Sequence, residues 1–155
     1  MKIELLPIAW IKNKRLTNTD DFWGNTISEI ILAPEISAEA IDGIDDFSHL
    51  EIIFYFHECN PAKINYKSRH PRNNPDWPKV GIFAQRGKNR PNHLGLSIVK
   101  LIEKKERALI VSGLDAIDGT PVLDIKPVMT GFLPQESIRE PSWPNELMRN
   151  YWKTK

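Results

Sequence analysis

Short strand-like segments separated by glycine- and proline-containing turns are the feature that most constrains the fold of this chain. The clearest is residues 50–56, LEIIFYF, which is aromatic and β-branched and has turn residues on both sides. Further segments of this kind lie at residues 3–11, 26–32, 80–84, 96–101, 108–114 and 121–125. No helix-length sequence lies between most of them, so the pattern disfavours a doubly wound α/β sheet and favours a barrel or a sandwich.

The stretches between and after these segments carry their own signals. Residues 60–79 contain four prolines and are predicted to form a long irregular loop, which in a compact domain is usually functional or mobile. Alternation in residues 96–101 places Leu96 on one face of a strand and Ser97 on the other. The tail from residue 141 has apolar residues at i,i+4 spacing and is predicted to form a short C-terminal helix.

Length and composition fit one globular domain over residues 1–155. The chain has no apolar run of about 18 residues and no secretory signal, so we expect no membrane span and a cytoplasmic location. Cys59 is the only cysteine, which excludes an intrachain disulfide. The net charge of +1 lacks the strong basic bias of proteins that coat nucleic acid non-specifically.

The basic residues are unevenly distributed. Residues 63–90 contain eight of the 21 lysines and arginines and a single acid, Asp76. A solvated loop has this composition, and so has an edge that contacts phosphates and gains affinity by counterion release. Both interpretations stay open.

Histidines and a cysteine near the core strand raise the question of a metal site. His49 and His57 bracket the strand, and the spacing His57-x-Cys59 predicts both side chains on one strand face. A zinc site needs further ligands, and only His70 and His93 remain as nitrogen donors. We therefore expect no metal. His57 is either a hydrogen-bonded residue at a strand end or a ligand contact at a barrel rim.

Two further segments have the composition of ligand-binding loops. Arg86 and Arg90 lie in a loop with two glycines and a proline, which suits an anionic or nucleotide ligand because arginine offers a bidentate fork. Asp118 and Gly119 predict a tight turn between two strands. Such a turn either only shapes the chain or offers backbone groups to an adenine or a ribose.

These segments carry a resemblance to a known family. The matching motifs are DFSHL (46–50) with FYFH (54–57), VGIFAQR (80–86) with RPNHLGLS (90–97), and DAIDGTPVLDIKP (115–127). In this order and spacing the chain resembles the TsaA/TrmO family of tRNA methyltransferases. The resemblance implies an all-β fold: a small antiparallel or mixed β-barrel with long loops and a short C-terminal helix.

The resemblance also implies a function and a set of site residues. It implies a homodimer that binds S-adenosyl-L-methionine near the subunit interface and methylates N6 of threonylcarbamoyladenosine beside the tRNA anticodon. Carried over by motif, the cofactor contacts are His57, Glu58, Arg86, Leu96, Asp118, Gly119, Thr120 and Pro121. The substrate contacts are Arg86, Arg90 and Asn92.

A general base is not identified by the sequence. Attack by a carbamoylated adenine N6 benefits from one, and the candidates by location are His57, His93 and Asp118. Two other functions remain open: a methyltransferase that acts on a different RNA or a small molecule, and a regulatory module that binds S-adenosylmethionine without catalysis.

Departures from the family pattern motivate the first of these alternatives. Gln85 and Gly87 replace other residues around Arg86, and an acidic segment with Asp20 and Asp21 replaces a basic one. These carboxylates repel phosphate if they face the site. Trp23 and Trp77 are either packing residues or platforms on which a base stacks.

Overall fold

Six strands close into an antiparallel barrel in the order β1-β2-β7-β6-β3-β8. The computed structural model describes residues 1–154. The barrel strands are Ala9–Lys12 (β1), Ile27–Leu32 (β2), His49–Tyr55 (β3), Leu94–Lys104 (β6), Ala108–Ser112 (β7) and Pro121–Pro127 (β8). Ser68–Arg69 (β4) and Val80–Gly81 (β5) form a separate two-stranded ribbon.

The barrel interior is filled by alternate residues of β1, β2, β3 and β6, with further apolar residues from β7 and β8. In β3, Leu50, Ile52 and Phe54 are fully buried, whereas their neighbours are half-buried or exposed. Val99 of β6 and Val111 of β7 face the same core. This alternation follows from the two-residue period of a strand. Each large apolar side chain that is fully buried stabilises the fold by about 1.5–3 kcal/mol, and this gain drives closure of the barrel.

Most of the predicted strands are confirmed within a few residues, and the fold class is confirmed as mostly β. Alternation in β6 is also confirmed, because Leu96 is exposed and Ser97 is buried. The C-terminal helix is confirmed as Trp143–Leu147 (α1), which continues as a 3-10 turn over Met148–Asn150. All strand pairs among residues 1–154 are antiparallel, which decides between the antiparallel and mixed forms.

Two sequence predictions are wrong in extent. The first run, residues 3–11, becomes a strand only from Ala9, and the residues before Pro7 are exposed. The predicted core strand at residues 80–84 does not belong to the barrel: β5 pairs with β4, and Ile82–Ala84 forms a 3-10 turn. Both edges of β3 are already paired with β6 and β8, so the closed barrel leaves no edge for this segment.

Antiparallel connectivity brings the longest loops to one end of the barrel. Strands β1, β3 and β7 end there, and β2, β6 and β8 begin there. Residues 13–26, 56–93 and 113–120 therefore converge at the same rim. These loops contain all the carried-over site residues except two. Leu96 is the third residue of β6, and Pro121 is the first residue of β8.

Close packing of β6 against β3 requires a glycine at position 95. A Cβ atom there would lie 2.4 Å from two ring atoms of Phe54, which is itself fully buried. We expect Gly95→Ala to lower the free energy of unfolding by about 1–3 kcal/mol, measured by urea denaturation. Gly81→Ala is the control, since a Cβ at Gly81 meets no atom within 4 Å. Equal midpoints for the two variants would contradict this packing.

Candidate functional site

A narrow cleft opens where the three rim loops meet. It is lined by Asn18, Phe54, Phe56, His57, Glu58, Cys59, Ala116, Ile117 and Thr120. Three of the carried-over cofactor contacts, His57, Glu58 and Thr120, therefore lie around one cavity. The cleft encloses about 10 Å³, which is room for roughly one water molecule. A larger ligand needs either movement of the loops or a further wall.

His57 and Glu58 lie beyond the end of β3, which changes one prediction. Residues 57–59 form a turn, so His57 and Cys59 do not share a strand face as the spacing predicted. The chain turns here because the amide of Cys59 donates to the carbonyl of Phe56 at 3.3 Å. The turn exposes the side chains of His57 and Glu58 at the rim while Cys59 is half-buried.

Cys59 is an unreactive wall of the cleft. Burial raises the pKa of its thiol, and the positive charge of Lys88 only partly offsets this effect. Its Sγ lies 3.6 Å from the carbonyl oxygen of Lys88. The thiol therefore stays protonated at neutral pH and is a poor nucleophile.

The Asp118–Pro121 turn is held by hydrogen bonds to β1 and the residues that follow it. The amide of Asp118 donates to the carbonyl of Arg15 at 2.8 Å, and the amide of Gly119 donates to the carbonyl of Ile11 at 2.8 Å. Gly119 has φ 74°, in the left-handed region that glycine adopts without steric cost. These amides are already satisfied, so the predicted offer of backbone donors to a ligand does not apply to them.

The Asp118 carboxylate also has a partner within the protein. Its Oδ1 accepts a hydrogen bond from the amide of Asn13 at 2.9 Å. The Asn13 side chain in turn donates to Ser28 Oγ and to the carbonyl of Ala116, each at 2.9 Å. The sequence does not point to Asn13, because its partner Ala116 lies 103 residues away along the chain.

The same turn lies beside His57. A Cβ atom at Gly119 would be 3.9 Å from His57 Nε2, so the imidazole and the turn face each other across the cleft. Two motifs about 60 residues apart in the sequence thus meet at the rim, as the resemblance implied.

The two arginines of the rim loop make different contacts. Arg86 is exposed and donates from its guanidinium to the carbonyl of Leu96, which brings two of the carried-over cofactor contacts together. Arg90 donates to the carbonyl of Gln85 at 2.9 Å and so closes its own loop. Arg86 is therefore held at the edge of β6 with the rest of its guanidinium available, whereas Arg90 is partly used in shaping the chain.

Asn92 and His93 have left-handed backbone conformations, with φ values of 63° and 51°. The His93 ring is buried, and its Nδ1 lies 3.2 Å from the Tyr55 hydroxyl. Its Nε2 is also buried and has no hydrogen-bond partner among residues 1–154. Among the three candidate bases, only His57 is exposed in the cleft.

The acidic segment faces the basic loop rather than the cleft. Asp21 accepts two hydrogen bonds from Arg72, at 2.9 and 3.1 Å, and Asp20 lies 4.0 Å from the same guanidinium. Trp23 is buried, with the Arg15 guanidinium 4.1 Å from its ring centroid, so it packs rather than stacks on a ligand. Trp77 donates from its indole nitrogen to Glu146 at 2.9 Å.

Asp115 connects the rim to the C-terminal segment and is a further residue that the sequence did not single out for binding. Its carboxylate accepts hydrogen bonds from the hydroxyls of Ser97 and Tyr151. Burial, followed by the charge and the hydrogen bond of Asp115, raises the pKa of Tyr151 above its ordinary value. The amide of Trp23 donates to the carbonyl of Tyr151 at 2.8 Å and fixes the same segment.

Metal-binding clusters and membrane-spanning helices are both absent from residues 1–154. No group of three or more histidine, cysteine, aspartate or glutamate side chains in this part of the chain is arranged to hold a metal ion. In the same residues, no helix has both the length and the apolar character that a membrane crossing requires.

The Tyr151–Asp115 contact predicts a pH dependence of stability. A raised pKa in the folded state means that the phenol contributes stability below about pH 10, and this contribution falls as the unfolded state ionises above that pH. We expect Tyr151→Phe to cost about 1–3 kcal/mol at pH 7. The difference from wild type should narrow between pH 10 and 11 in denaturant titrations. A difference that grows with pH would contradict the assignment.

Comparison with known proteins places these motifs in a family. The family model of the tRNA-methyltransferase O N-terminal domain matches residues 16–132. A human tRNA (adenine(37)-N6)-methyltransferase is 38% identical over 108 residues, which are 70% of this chain and 24% of the relative. A probable S-adenosyl-L-methionine-binding protein of Methanothermobacter thermautotrophicus is 35% identical over 131 residues, covering 82% of this chain and 90% of the relative.

Solved structures agree with the barrel. The crystal structure of TrmO from Pseudomonas aeruginosa aligns with a TM-score of 0.72 at 28% identity, covering 89% of this chain and 61% of the other. A putative S-adenosylmethionine-dependent methyltransferase of Pseudomonas aeruginosa is 42% identical over 97 residues, which are 63% of this chain and 40% of the relative. This chain thus spans less than half of that relative and about a quarter of the human one. On the match over residues 16–132, the chain belongs to the family of the tRNA-methyltransferase O N-terminal domain.

Proposed function

We propose that this chain binds S-adenosyl-L-methionine at the rim and transfers its methyl group to N6 of adenine 37 in tRNA, in the threonylcarbamoyl form of that base. Family membership supports the reaction. The location of the site is supported by one observation: His57, Glu58 and Thr120 line the same cleft, and the Asp118–Pro121 turn lies beside the His57 ring.

The side chains of the cleft fit the chemistry of this cofactor. The exposed carboxylate of Glu58 suits a ligand that carries a positive sulfonium and a positive ammonium group. Phe56 and Ile117 supply apolar surface for an adenine ring. Arg86, held at the Leu96 carbonyl, presents a guanidinium for a carboxylate or a phosphate. When bound, S-adenosylmethionine supplies a methyl group that is already activated for displacement.

His57 is the residue we assign to proton removal. The acceptor N6 loses its proton when the new C–N bond forms, so a neutral imidazole within reach lowers the barrier. His57 is exposed at the cleft, whereas His93 is buried against Tyr55 and the Asp118 carboxylate holds the Asn13 amide. The remaining contribution of the protein is to orient the two reactants and to exclude water.

A homodimer completes the proposed site. The cleft of one chain is too small for the cofactor. An apolar stripe lies on the outer barrel wall where β3 ends and β6 begins, which is at the same rim. In β3 and β6 the outward residues Ile53 and Leu96, and Tyr55 and Leu94, are directly paired, and exposed Ile98 continues the row. A contiguous exposed apolar patch of this kind is typical of a protein–protein interface.

A tRNA substrate also supports a cytoplasmic location.

A second candidate is a module that binds S-adenosylmethionine without transferring the methyl group. It is favoured by the archaeal relative, whose name specifies binding alone and of which this chain covers 90%. A methyltransferase with another acceptor is the third possibility. All three share the rim site, so they differ only in what happens to the methyl group.

Transfer of labelled methyl from S-adenosylmethionine to purified tRNA tests the three functions. We expect label in tRNA that carries threonylcarbamoyladenosine and none in tRNA without it. A thermal-shift titration run in parallel reports cofactor binding, since a ligand that binds the folded state raises its stability. Cofactor binding without label in either tRNA would contradict the proposed acceptor, and absence of cofactor binding would contradict the rim site itself.

A matched pair of variants locates the site in that assay. Glu58→Gln removes the carboxylate at the cleft and is expected to weaken cofactor binding roughly tenfold or more, because charge-assisted contacts are about twice as strong as neutral ones. Glu35→Gln makes the same chemical change at an exposed position at the opposite end of the barrel and should leave the affinity unchanged. Equal affinities for the two variants would contradict the assignment of Glu58.

The dimer predicts a specific loss of association. Ile98→Lys places a charge in the apolar stripe and is expected to shift the protein from dimer to monomer, as measured by sedimentation velocity, and to weaken cofactor binding with it. Ile31→Lys is the control, because Ile31 is exposed on β2, away from β3 and β6 in the barrel order. A wild-type protein that is monomeric at micromolar concentration would refute the dimer.

A further inference from the structure

Two strongly exposed aromatic rings flank the ribbon of β4 and β5, one shortly before β4 and one shortly after β5. Tyr66 is 73% exposed and Phe83 is 77% exposed. The amide of Ile82 donates to the carbonyl of Lys67 at 2.9 Å, which brings these two backbone positions together. Tyr66 directly precedes Lys67 and Phe83 directly follows Ile82, so the two aromatic residues are placed near each other. Their strand neighbours Ser68 and Gly81 are small and exposed, so the surface beside the rings is open.

The ribbon is braced against the rest of the loop. The Gln85 side chain donates to the carbonyls of Arg69 and Val80, at 2.9 and 3.0 Å, and so ties the two strands together. The amide of Asn65 donates to the carbonyl of Asn89 at 3.1 Å. Rings presented on a braced ribbon lose less conformational entropy on binding than rings on a free loop.

The loop that carries the two rings has an excess of positive charge, with eight lysines and arginines and one acid, Asp76, in residues 63–90. In the described part of the chain, no carboxylate lies within ion-pair distance of the lysines of this loop, Lys63, Lys67, Lys79 and Lys88. Three acidic residues outside the loop contact it through other partners: Asp20 and Asp21 pair with Arg72, and Glu146 accepts a hydrogen bond from Trp77. Exposed planar rings among free cations match a ligand with planar groups joined by negative charges.

We propose that this ribbon is a docking surface for single-stranded RNA, with unpaired bases stacked on Tyr66 and Phe83 and phosphates contacted by the loop lysines. The inference deepens the proposed function and rests on it, since nucleotide 37 lies within the anticodon loop, which is unpaired RNA. Phe83 is three residues from Arg86, which is bound to the Leu96 carbonyl near the start of β6, so RNA held on the ribbon would lie near the rim.

The chemistry distinguishes this partner from duplex RNA. Stacking on aromatic side chains requires bases that are not already stacked in a helix, and it tolerates any base sequence. Phosphate contacts add a salt dependence that the stacking does not. A preference for a single-stranded loop over a duplex of equal charge therefore reports the rings, and the salt slope reports the lysines.

Binding of fluorescein-labelled RNA, followed by anisotropy, tests the surface in the 155-residue chain. The probes are an anticodon stem-loop with seven unpaired nucleotides and a blunt duplex of the same total length. We expect Tyr66→Ala and Phe83→Ala each to weaken stem-loop binding about five- to a hundredfold, with little effect on the duplex. Tyr66→Phe keeps the ring and should bind like wild type. Phe132→Ala removes an 85% exposed ring outside the basic loop and should have no effect.

The lysines are tested by the salt dependence of the same measurement. Lys67→Gln is expected to reduce the slope of log affinity against log salt concentration by about 1. Lys100→Gln, on the outer wall of β6, should leave the slope unchanged. Equal slopes for wild type and Lys67→Gln would remove the lysine from the proposed surface.

The outcomes separate this inference from the proposed function. Cofactor binding by thermal shift should be the same in all the ring variants, because neither Tyr66 nor Phe83 lines the cleft. If wild type methylates tRNA and both alanine variants bind and methylate it normally, the ribbon surface is refuted and the function stands. If wild type binds cofactor but no RNA, both fail. If Phe83→Ala changes the oligomeric state without changing RNA affinity, the rings contact a second copy and the inference is overturned.

Discussion

The hydrogen bonds that close the barrel are also the ones that build the site. Strand β1 is short and pairs with β2 on one side and β8 on the other. Two further hydrogen bonds extend the β1–β8 pairing: the carbonyl of Ile11 accepts from the amide of Gly119, and the amide of Ile11 donates to the carbonyl of Thr120. The last turn before β8 is therefore fixed by the same ladder that completes the cylinder. Loss of closure would release Thr120 and the Asp118–Pro121 turn together, so the cleft exists only in a closed barrel.

Placing three long loops at one rim creates a problem of unsatisfied polar groups, and the chain solves it with side chains. Asn13 connects β2, the 113–120 loop and its own loop through its amide group and carbonyl oxygen. Asp115 joins Ser97 to Tyr151, and Asp21 binds Arg72. Buried polar groups that lack such partners are costly, so these contacts fix the loops in one arrangement. The acidic segment that departs from the family pattern has a structural role in this arrangement.

The outer surface divides into regions of different chemistry around that rim. The outward face of β3 and β6 is apolar near the rim, at Ile53, Tyr55, Leu94 and Leu96, whereas the segments that flank the β4–β5 ribbon carry exposed rings and lysines. Arg86 connects the loop to the β6 wall, because its guanidinium donates a hydrogen bond to the carbonyl of Leu96. A cofactor, a second subunit and an RNA would thus each have a separate surface with suitable chemistry, and all three surfaces belong to the same end of the barrel.

The sequence by itself determined the strands and the family. Alternation and β-branched content located β3, β6 and β8 because these signals depend on neighbouring residues, and the ordered motifs identified which loops carry the site. The sequence did not distinguish a barrel strand from the ribbon at residues 80–84, because both need short apolar extended chain. Only the tertiary structure decided this, since pairing of β3 with both β6 and β8 used up its edges. It also decided the roles of Asn13, Asp115 and His93, whose partners are distant in sequence and meet only when the barrel closes.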